Sequence, residues 1–225
     1  MGKRIFVPSI THTGTWFVLR FLQHFISNLV EGKDFDERKF DVPEDCIVHF
    51  HYPITDKRDF SKAIGITGAK ILASLFPTVI PIRDPLAALL SRETRQPQLR
   101  HFYIIHGYIH MQRTLFEHPN VIFLPIDLYE TAEERFALLE RVLKHCGIDS
   151  TPHTELLLGI AKEWKVENAN PQNRFKTMYA EKDIDQISFL LGPKTAEVEF
   201  LKNQREIIFT QFLQKLGYKK ENLLW

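Results

Sequence analysis

Apolar residues along this chain fall into short runs that alternate with longer stretches of helical periodicity. Arg4-Ile5-Phe6-Val7-Pro8 is the first run and reads as a strand. From Trp16 to Val30 the pattern becomes that of an amphipathic helix. Arg20, Gln23, His24, Ser27 and Glu31 share one face, Val18, Leu19, Leu22, Phe25, Ile26 and Leu29 fill the rest, and Gly32 is the stop signal. Cys46-Ile47-Val48-His49-Phe50 predicts a second strand whose continuation ends at Pro53. Thr78-Val79-Ile80-Pro81-Ile82 predicts a third, its proline pointing to an edge or irregular position. Val121-Ile122-Phe123-Leu124 predicts a fourth.

Helices are expected between and after these strands, around Lys70–Leu75, from Asp84-Pro85 onward, over 98–117, over 131–146 before Gly147, and over Thr195–Leu216 before Gly217. Asp84 has the chemistry of an N-cap, and Pro85 suits the first helical position. Strands alternating with helices imply an α/β domain with a central parallel β-sheet flanked by helices. One domain is expected over residues 1–225, with a mostly helical part from about residue 131. Residues 33–44 read as a charged surface loop, and Asn168-Ala169-Asn170-Pro171-Gln172-Asn173 as a connection.

Composition narrows the function classes. The 225 residues are 44% hydrophobic and 25% charged, enough for a sizeable core. Twenty-nine basic against 28 acidic residues leave a formal charge of +1, which argues against general nucleic-acid binding and makes any anion site local. No segment has the apolar length of a membrane span, and the Met-Gly-Lys-Arg start shows neither a secretory apolar region nor a myristoylation pattern. Cys46 and Cys146 are lone thiols, which suggests a reducing, cytoplasmic setting.

Ligands of parallel sheets gather at the carboxyl ends of the strands, and the chemically interesting residues fall there. His12-Thr13-Gly14-Thr15 follows the first strand and opens the first helix. Such a turn offers backbone N–H groups, hydroxyl donors and the positive end of a helix dipole to an anion, most often a phosphate. The Walker A spacing is absent. His51-Tyr52-Pro53 follows the second strand, and Arg83-Asp84-Pro85 the third, with Ser91 further along the helix. Ala87, Ala88 and Ser91 share a face small enough for a ligand to lie close to the backbone. Arg83 has the fork geometry for phosphate, and Ser91 can donate to it.

Over roughly residues 4–130 these pieces resemble the sulfotransferase family, which uses 3′-phosphoadenosine 5′-phosphosulfate (PAPS) as donor and has a P-loop NTPase-like fold. The family's first signature, a basic residue followed by Ser/Thr, Gly and two Ser/Thr, is matched by His12-Thr13-Gly14-Thr15-Trp16 with Phe17-Val18 continuing. The second, Arg-Asp/Asn-Pro with a serine eight residues after the arginine, is matched by Arg83-Asp84-Pro85 and Ser91. Phe50-His51-Tyr52-Pro53 is similar to the segment whose histidine is the family's catalytic base, and Ile126-Asp127-Leu128 lies where the family has a fourth-strand end.

The resemblance implies transfer of a sulfonate group to a hydroxyl or amine of a small-molecule or glycan acceptor. The adenosine bisphosphate PAP is the product, and no metal or membrane takes part. It assigns His12, Thr13, Gly14, Thr15 and Trp16 to the 5′-phosphosulfate, Arg83 and Ser91 to the 3′-phosphate, and His51 to the role of general base. His12 and Trp16 depart from the pattern. A histidine stabilises the leaving phosphate only when protonated or when donating from one neutral nitrogen, and a tryptophan brings no hydroxyl. A nucleotide-binding module without turnover and a P-loop-like phosphotransferase are the alternatives, the latter opposed by the missing Walker lysine and by the lack of a clear acidic metal ligand after a strand.

Other candidates carry plainer readings. His49 shares the parity of His51 and reads as a partly buried strand residue. His106 and His110, four apart, read as a polar helix face, and Arg174 with Lys176 as a solvated basic turn. Arg92 and Arg95 either assist the 3′-phosphate or face solvent.

Overall fold

The structure, a computed structural model, describes residues 2–10, 13–31, 42–51, 66–85, 87–88, 107–109, 111, 114–164 and 203–223. Five strands form one sheet in the order β2-β3-β1-β4-β5: β1 (Arg4–Ser9), β2 (Asn28–Glu31), β3 (Cys46–His51), β4 (Thr78–Ile82) and β5 (Val121–Pro125). Every pairing is parallel. The helices are α1 (Thr15–Gln23), α2 (Ile66–Leu75), α3 (Ala132–His145) and α4 (Thr154–Lys162). Residues 107–109, 111 and 114–115 are also helical, as are 203–216, where the last turns tighten and widen irregularly.

Side-chain alternation sorts the sheet residues onto two buried faces. Ile5, Val7, Ile47, Val79 and Leu124 pack with α1, α3, α4 and Trp164. Phe6, Val48, Phe50, Ile80, Ile82 and Phe123 pack with α2, the 107–115 helical residues and the 203–216 segment. Phe212 anchors that last segment, its ring 5.2 Å from Phe123, 5.4 Å from Phe116 and 6.3 Å from Tyr108. The expected α/β class with a central parallel sheet is therefore observed. Strands buried on both faces explain why these runs are nearly continuous in apolar residues.

Two expectations are corrected. The first helix ends at Gln23, not at Val30, and Asn28–Glu31 forms the edge strand β2. Phe25, Ile26, Leu29 and Val30 satisfy either period. The free edge of β3 decides, taking Leu29 opposite Ile47 and Val30 opposite Val48, while Ser27 and Asn28 favour a turn over a helix interior. The other correction concerns Pro81, which lies in an interior strand between β1 and β5 rather than at an edge.

The sheet accommodates Pro81 by placing the missing donor on a sparse seam. Phe6 N donates to Pro77 O across β1–β4, and Thr78 N donates to Asn120 O on the β5 side. Alternation from these two bonds turns the nitrogens of Pro8 and Pro81 toward each other's strands, so both lost donors fall on the β1–β4 seam. Among the described residues that seam carries one bridge pair, Phe6 with Thr78, against six for β1–β3 and five for β4–β5. The ladder thins toward the carboxyl ends of β1 and β4, where the chain reverses its direction of travel across the sheet. That reversal is the usual place for a ligand crevice.

Local signals elsewhere hold. Thr131 and Glu134 form a capping box at the start of α3, Asp84 Oδ1 accepts from Ala87 N at 3.2 Å, and Gly147 and Gly217 have φ of 66° and 96° after their helices. No helix among the described residues is long and apolar enough to cross a membrane.

Cys46 and Cys146 are free thiols buried in the two cores. Burial raises both pKa values, that of Cys146 from 9.0 to about 12. Such a group favours the folded state below the unfolded pKa, and its contribution is lost as pH rises from 9 toward 12. Neither thiol is expected to react with iodoacetamide at pH 8 in the native chain, and both react in denaturant. Mass spectrometry of the alkylated chain checks this, and prompt native labelling would contradict the burial.

Candidate functional site

Three chemically suggestive turns lie at carboxyl ends of adjacent strands. The Thr13-Gly14-Thr15 turn follows β1, His51 ends β3 on one side of β1, and Arg83-Asp84 follows β4 on the other. Neighbouring strands run about 4.8 Å apart, so the three positions share one rim. His12 and Ser91 lie outside the described residues, as do Arg92, Arg95, His106, His110, Arg174 and Lys176.

The turn after β1 is shaped by its glycine. Gly14 is the N-cap of α1 with φ 97° and ψ 22°, and Val18 N donates to its carbonyl at 3.2 Å. A Cβ built at Gly14 would stand 2.4 Å from Ile126 Cδ1. Both the positive φ and the close approach therefore require glycine. Thr13 is fully buried, its Oγ1 donating to Ile10 O at 2.7 Å, so this hydroxyl fixes the turn instead of facing a ligand. Thr15 is 8% exposed, and its buried Oγ1 has no hydrogen-bond partner among the described residues. An orphaned hydroxyl on the first turn of a helix, beside N–H groups that the helix cannot pair, fits an anion acceptor. Trp16 is 64% exposed and stands at the mouth of this turn, whereas Phe17 packs on Trp164 with ring centroids 4.3 Å apart.

His51 is half-buried at the end of β3 and paired in register with Ser9. It shares the parity of Ile47, which places it on the α1 side of the sheet. Its ring meets that of His49 edge-on at 5.0 Å, and His49 Nε2 lies 3.0 Å from Ser9 Oγ inside the fold. His49 is buried, in line with the plain reading of that residue.

The turn after β4 is the most polar buried region described. Arg83 is 1% exposed and Asp84 is fully buried. Desolvation lowers the Arg83 pKa, opposed by the charge of Asp127 and, more weakly, by Tyr108, Asp84 and Tyr218. Asp127 lies just beyond the end of β5. One of its oxygens accepts from Asp84 N at 2.9 Å and the other from Tyr218 Oη at 2.5 Å. Desolvation raises the Asp127 pKa, and the hydrogen bonds from Tyr218 and Asp84 oppose that rise. Tyr108 Oη donates to the carbonyl of Arg83. Burial pushes both tyrosine pKa values well up.

Asp127 is thus an acidic residue two positions beyond the end of a strand, and its carboxylate serves the fold. Each of its oxygens is engaged by an internal donor, and Asp84 Oδ1 caps its own helix. Tyr108 and Tyr218 are absent from the residues that the motifs single out. For Ile126 and Asp127 a signal existed, since they occupy the same carboxyl-end position as the motif residues. For the tyrosines none did, because their partners lie 25 and 91 positions away.

The Ile126–Asp127 dipeptide ties the two anion-competent turns together. Ile126 abuts Gly14, its N donates to Ile82 O at 3.0 Å, and its carbonyl accepts from Trp164 Nε1 at 3.1 Å. The next residue holds Asp84.

No protein-family profile matches the chain, and no curated protein matches it. Among solved structures it is similar to mouse sulfotransferase SULT7A1 complexed with PAP, at 14% identity and a TM-score of 0.46. The match covers 71% of this chain, which spans 64% of the length of that one.

Gly14→Ala is expected to destabilise the fold by about 2–4 kcal/mol, from the left-handed backbone and the collision with Ile126. Chemical denaturation checks the value. The double variant Gly14→Ala/Ile126→Ala should recover the part due to the collision, and an unchanged midpoint in Gly14→Ala would contradict the contact.

Proposed function

We propose that this chain is a sulfotransferase that moves a sulfonate group from PAPS to a hydroxyl or amine of a small-molecule or glycan acceptor. The observation that carries the reading is the pairing of two anion-competent turns on adjacent strands at the reversal point of the sheet, joined through Ile126–Asp127. Two such turns on neighbouring strands support a ligand that carries phosphate groups at two positions. The motif matches of both turns, with His12 and Ser91 completing them in sequence, support the same assignment.

The residues present fit such a donor. The N–H groups of Thr15 and Trp16, the orphaned Thr15 hydroxyl and His12 would hold the 5′-phosphosulfate. Arg83 with Ser91 would hold the 3′-phosphate. At 1% exposure Arg83 would meet that phosphate out of water, where a bidentate ion pair gains most and also demands full desolvation of the ligand. The donor supplies an electrophilic sulfur with a phosphate leaving group.

The chain supplies the rest. His51, half-buried at the rim, takes the proton of the acceptor hydroxyl as its oxygen attacks sulfur in line. The sulfur–oxygen bond to the 5′-phosphate breaks, and its electron pair goes to the phosphate oxygen. That charge is stabilised by the α1 N-terminus and by His12. Much of the barrier reduction then comes from positioning and electrostatics.

Thermal unfolding with 3′,5′-adenosine bisphosphate, ATP with magnesium, and AMP tests the reading. Ligand at about 100 times its Kd adds about 2.7 kcal/mol to the folded state. The bisphosphate should give the largest shift, and Arg83→Ala should abolish its advantage over AMP. A larger shift with ATP and magnesium would favour the phosphotransferase reading instead. His51→Ala should keep the nucleotide shift and lower sulfonate transfer by about 10²–10⁴-fold, the usual range for a general base. Full transfer by His51→Ala would remove the base assignment. Tight bisphosphate binding without transfer to any acceptor would leave a nucleotide-binding module.

A further inference from the structure

The peptide unit between Arg83 and Asp84 is gripped at both of its polar groups by side chains from elsewhere in the fold. Its carbonyl accepts from Tyr108 Oη, and its N–H donates to Asp127 at 2.9 Å. Asp127 is itself held on its other oxygen by Tyr218 Oη at 2.5 Å. Regular strands and helices hold their peptide units through backbone partners. Here β4 has ended, and three side chains take over the task for one peptide plane.

Each grip comes from a different element. Tyr108 belongs to the helical residues 107–109, Asp127 follows β5, and Tyr218 follows Gly217 at the end of the 203–216 segment. Tyr108 is fully buried, Tyr218 is 4% exposed, Asp127 is half-buried, and the neighbouring Arg83 is 1% exposed. Phe212, stacked edge-on with Tyr108 and Phe123, fixes the segment that delivers Tyr218. A peptide plane held at both its carbonyl and its N–H restrains rotation about the Arg83 Cα–C bond. The direction in which the Arg83 side chain leaves the backbone is thereby fixed, which narrows the positions its guanidinium can take toward an anion.

We propose that Asp127, Tyr108 and Tyr218 are positioning residues that lock the Arg83–Asp84 peptide plane and thereby set the selectivity of this site for a nucleotide 3′-phosphate. The inference rests on the nucleotide reading above and adds to it the residues that aim the arginine. A role in stability alone would make the three tyrosine and aspartate contacts indifferent to which nucleotide is bound. A positioning role ties them to the one phosphate that Arg83 contacts.

Calorimetric titration of the full chain with 3′,5′-adenosine bisphosphate and with AMP separates these cases. In the unmodified chain the bisphosphate binds more tightly, and the ratio of the two Kd values measures 3′-phosphate recognition. Tyr218→Phe keeps the ring and removes one donor to a carboxylate. It is expected to lower that ratio about tenfold, with AMP affinity unchanged within about twofold. Asp127→Asn, which retains an acceptor for Asp84 N but none for the Tyr218 hydroxyl, should lower the ratio at least as much. Adding Tyr218→Phe to Asp127→Asn should then cost less than Tyr218→Phe costs in the unmodified chain, since the two act through one contact. A Tyr218→Phe chain that loses both nucleotides equally, or keeps the full ratio, overturns the positioning role. If Tyr218→Phe does not fold, the ratio in Asp127→Asn decides by the same criterion. An unmodified chain that fails to distinguish the bisphosphate from AMP overturns the nucleotide reading itself, and that failure is visible before any variant is made.

Discussion

Asp127 holds the carboxyl-terminal rim of this sheet together. Its two oxygens reach in opposite directions, one to the backbone N–H of Asp84 and the other to the hydroxyl of Tyr218. A half-buried carboxylate carries a desolvation cost, and the two donors offset it. The consequence is geometric. The end of β4, the end of β5 and the end of the last helical segment meet at one side chain, beside a buried guanidinium whose charge it balances. The adjacent Ile126 carries the same constraint to β1 by pressing against Gly14.

The sparse β1–β4 seam complements this arrangement. Two prolines whose missing donors face one another deprive the carboxyl half of that seam of ladder bonds, in the part of the sheet where a crevice is wanted. The flanking pairings are full, so the loss of ladder bonds is confined to the reversal point. A strand pair that lacks backbone bonds needs other ties, and the Ile126–Asp127 dipeptide supplies one above the seam. Hydrophobic burial on both faces supplies the rest, with α1 and α3 on one side and α2 and the 203–216 segment on the other.

Function in this picture depends on the division between rigid and available groups. Thr13 uses its hydroxyl on Ile10 and shapes the turn, whereas Thr15 leaves a buried hydroxyl unmatched by the described residues. Asp84 caps its own helix, and Asp127 is bound on both oxygens. The carboxylates near the rim are therefore committed to structure, and the Thr15 hydroxyl is left unmatched by the described residues.

Local chemistry was written plainly in the sequence. Four of the five strand positions, the α/β class, the cap at Asp84, the stops at Gly147 and Gly217, and the carboxyl-end location of Gly14, His51 and Arg83 all follow from residues within a few positions of one another. Where the local signal allowed two answers, only tertiary contacts chose. Leu29 and Val30 became a strand because β3 offered an open edge, and Pro81 sits in the sheet's interior with its nitrogen turned to the sparsely bonded β1–β4 seam. The grips on the Arg83–Asp84 peptide were invisible along the chain for the same reason. A tyrosine hydroxyl has no periodicity and no neighbouring partner to betray it, and its meaning is fixed only when folding brings residue 218 to residue 127. Backbone preferences act over a few residues and can be read in order; the pairing of buried polar groups is settled by desolvation, which depends on the whole fold.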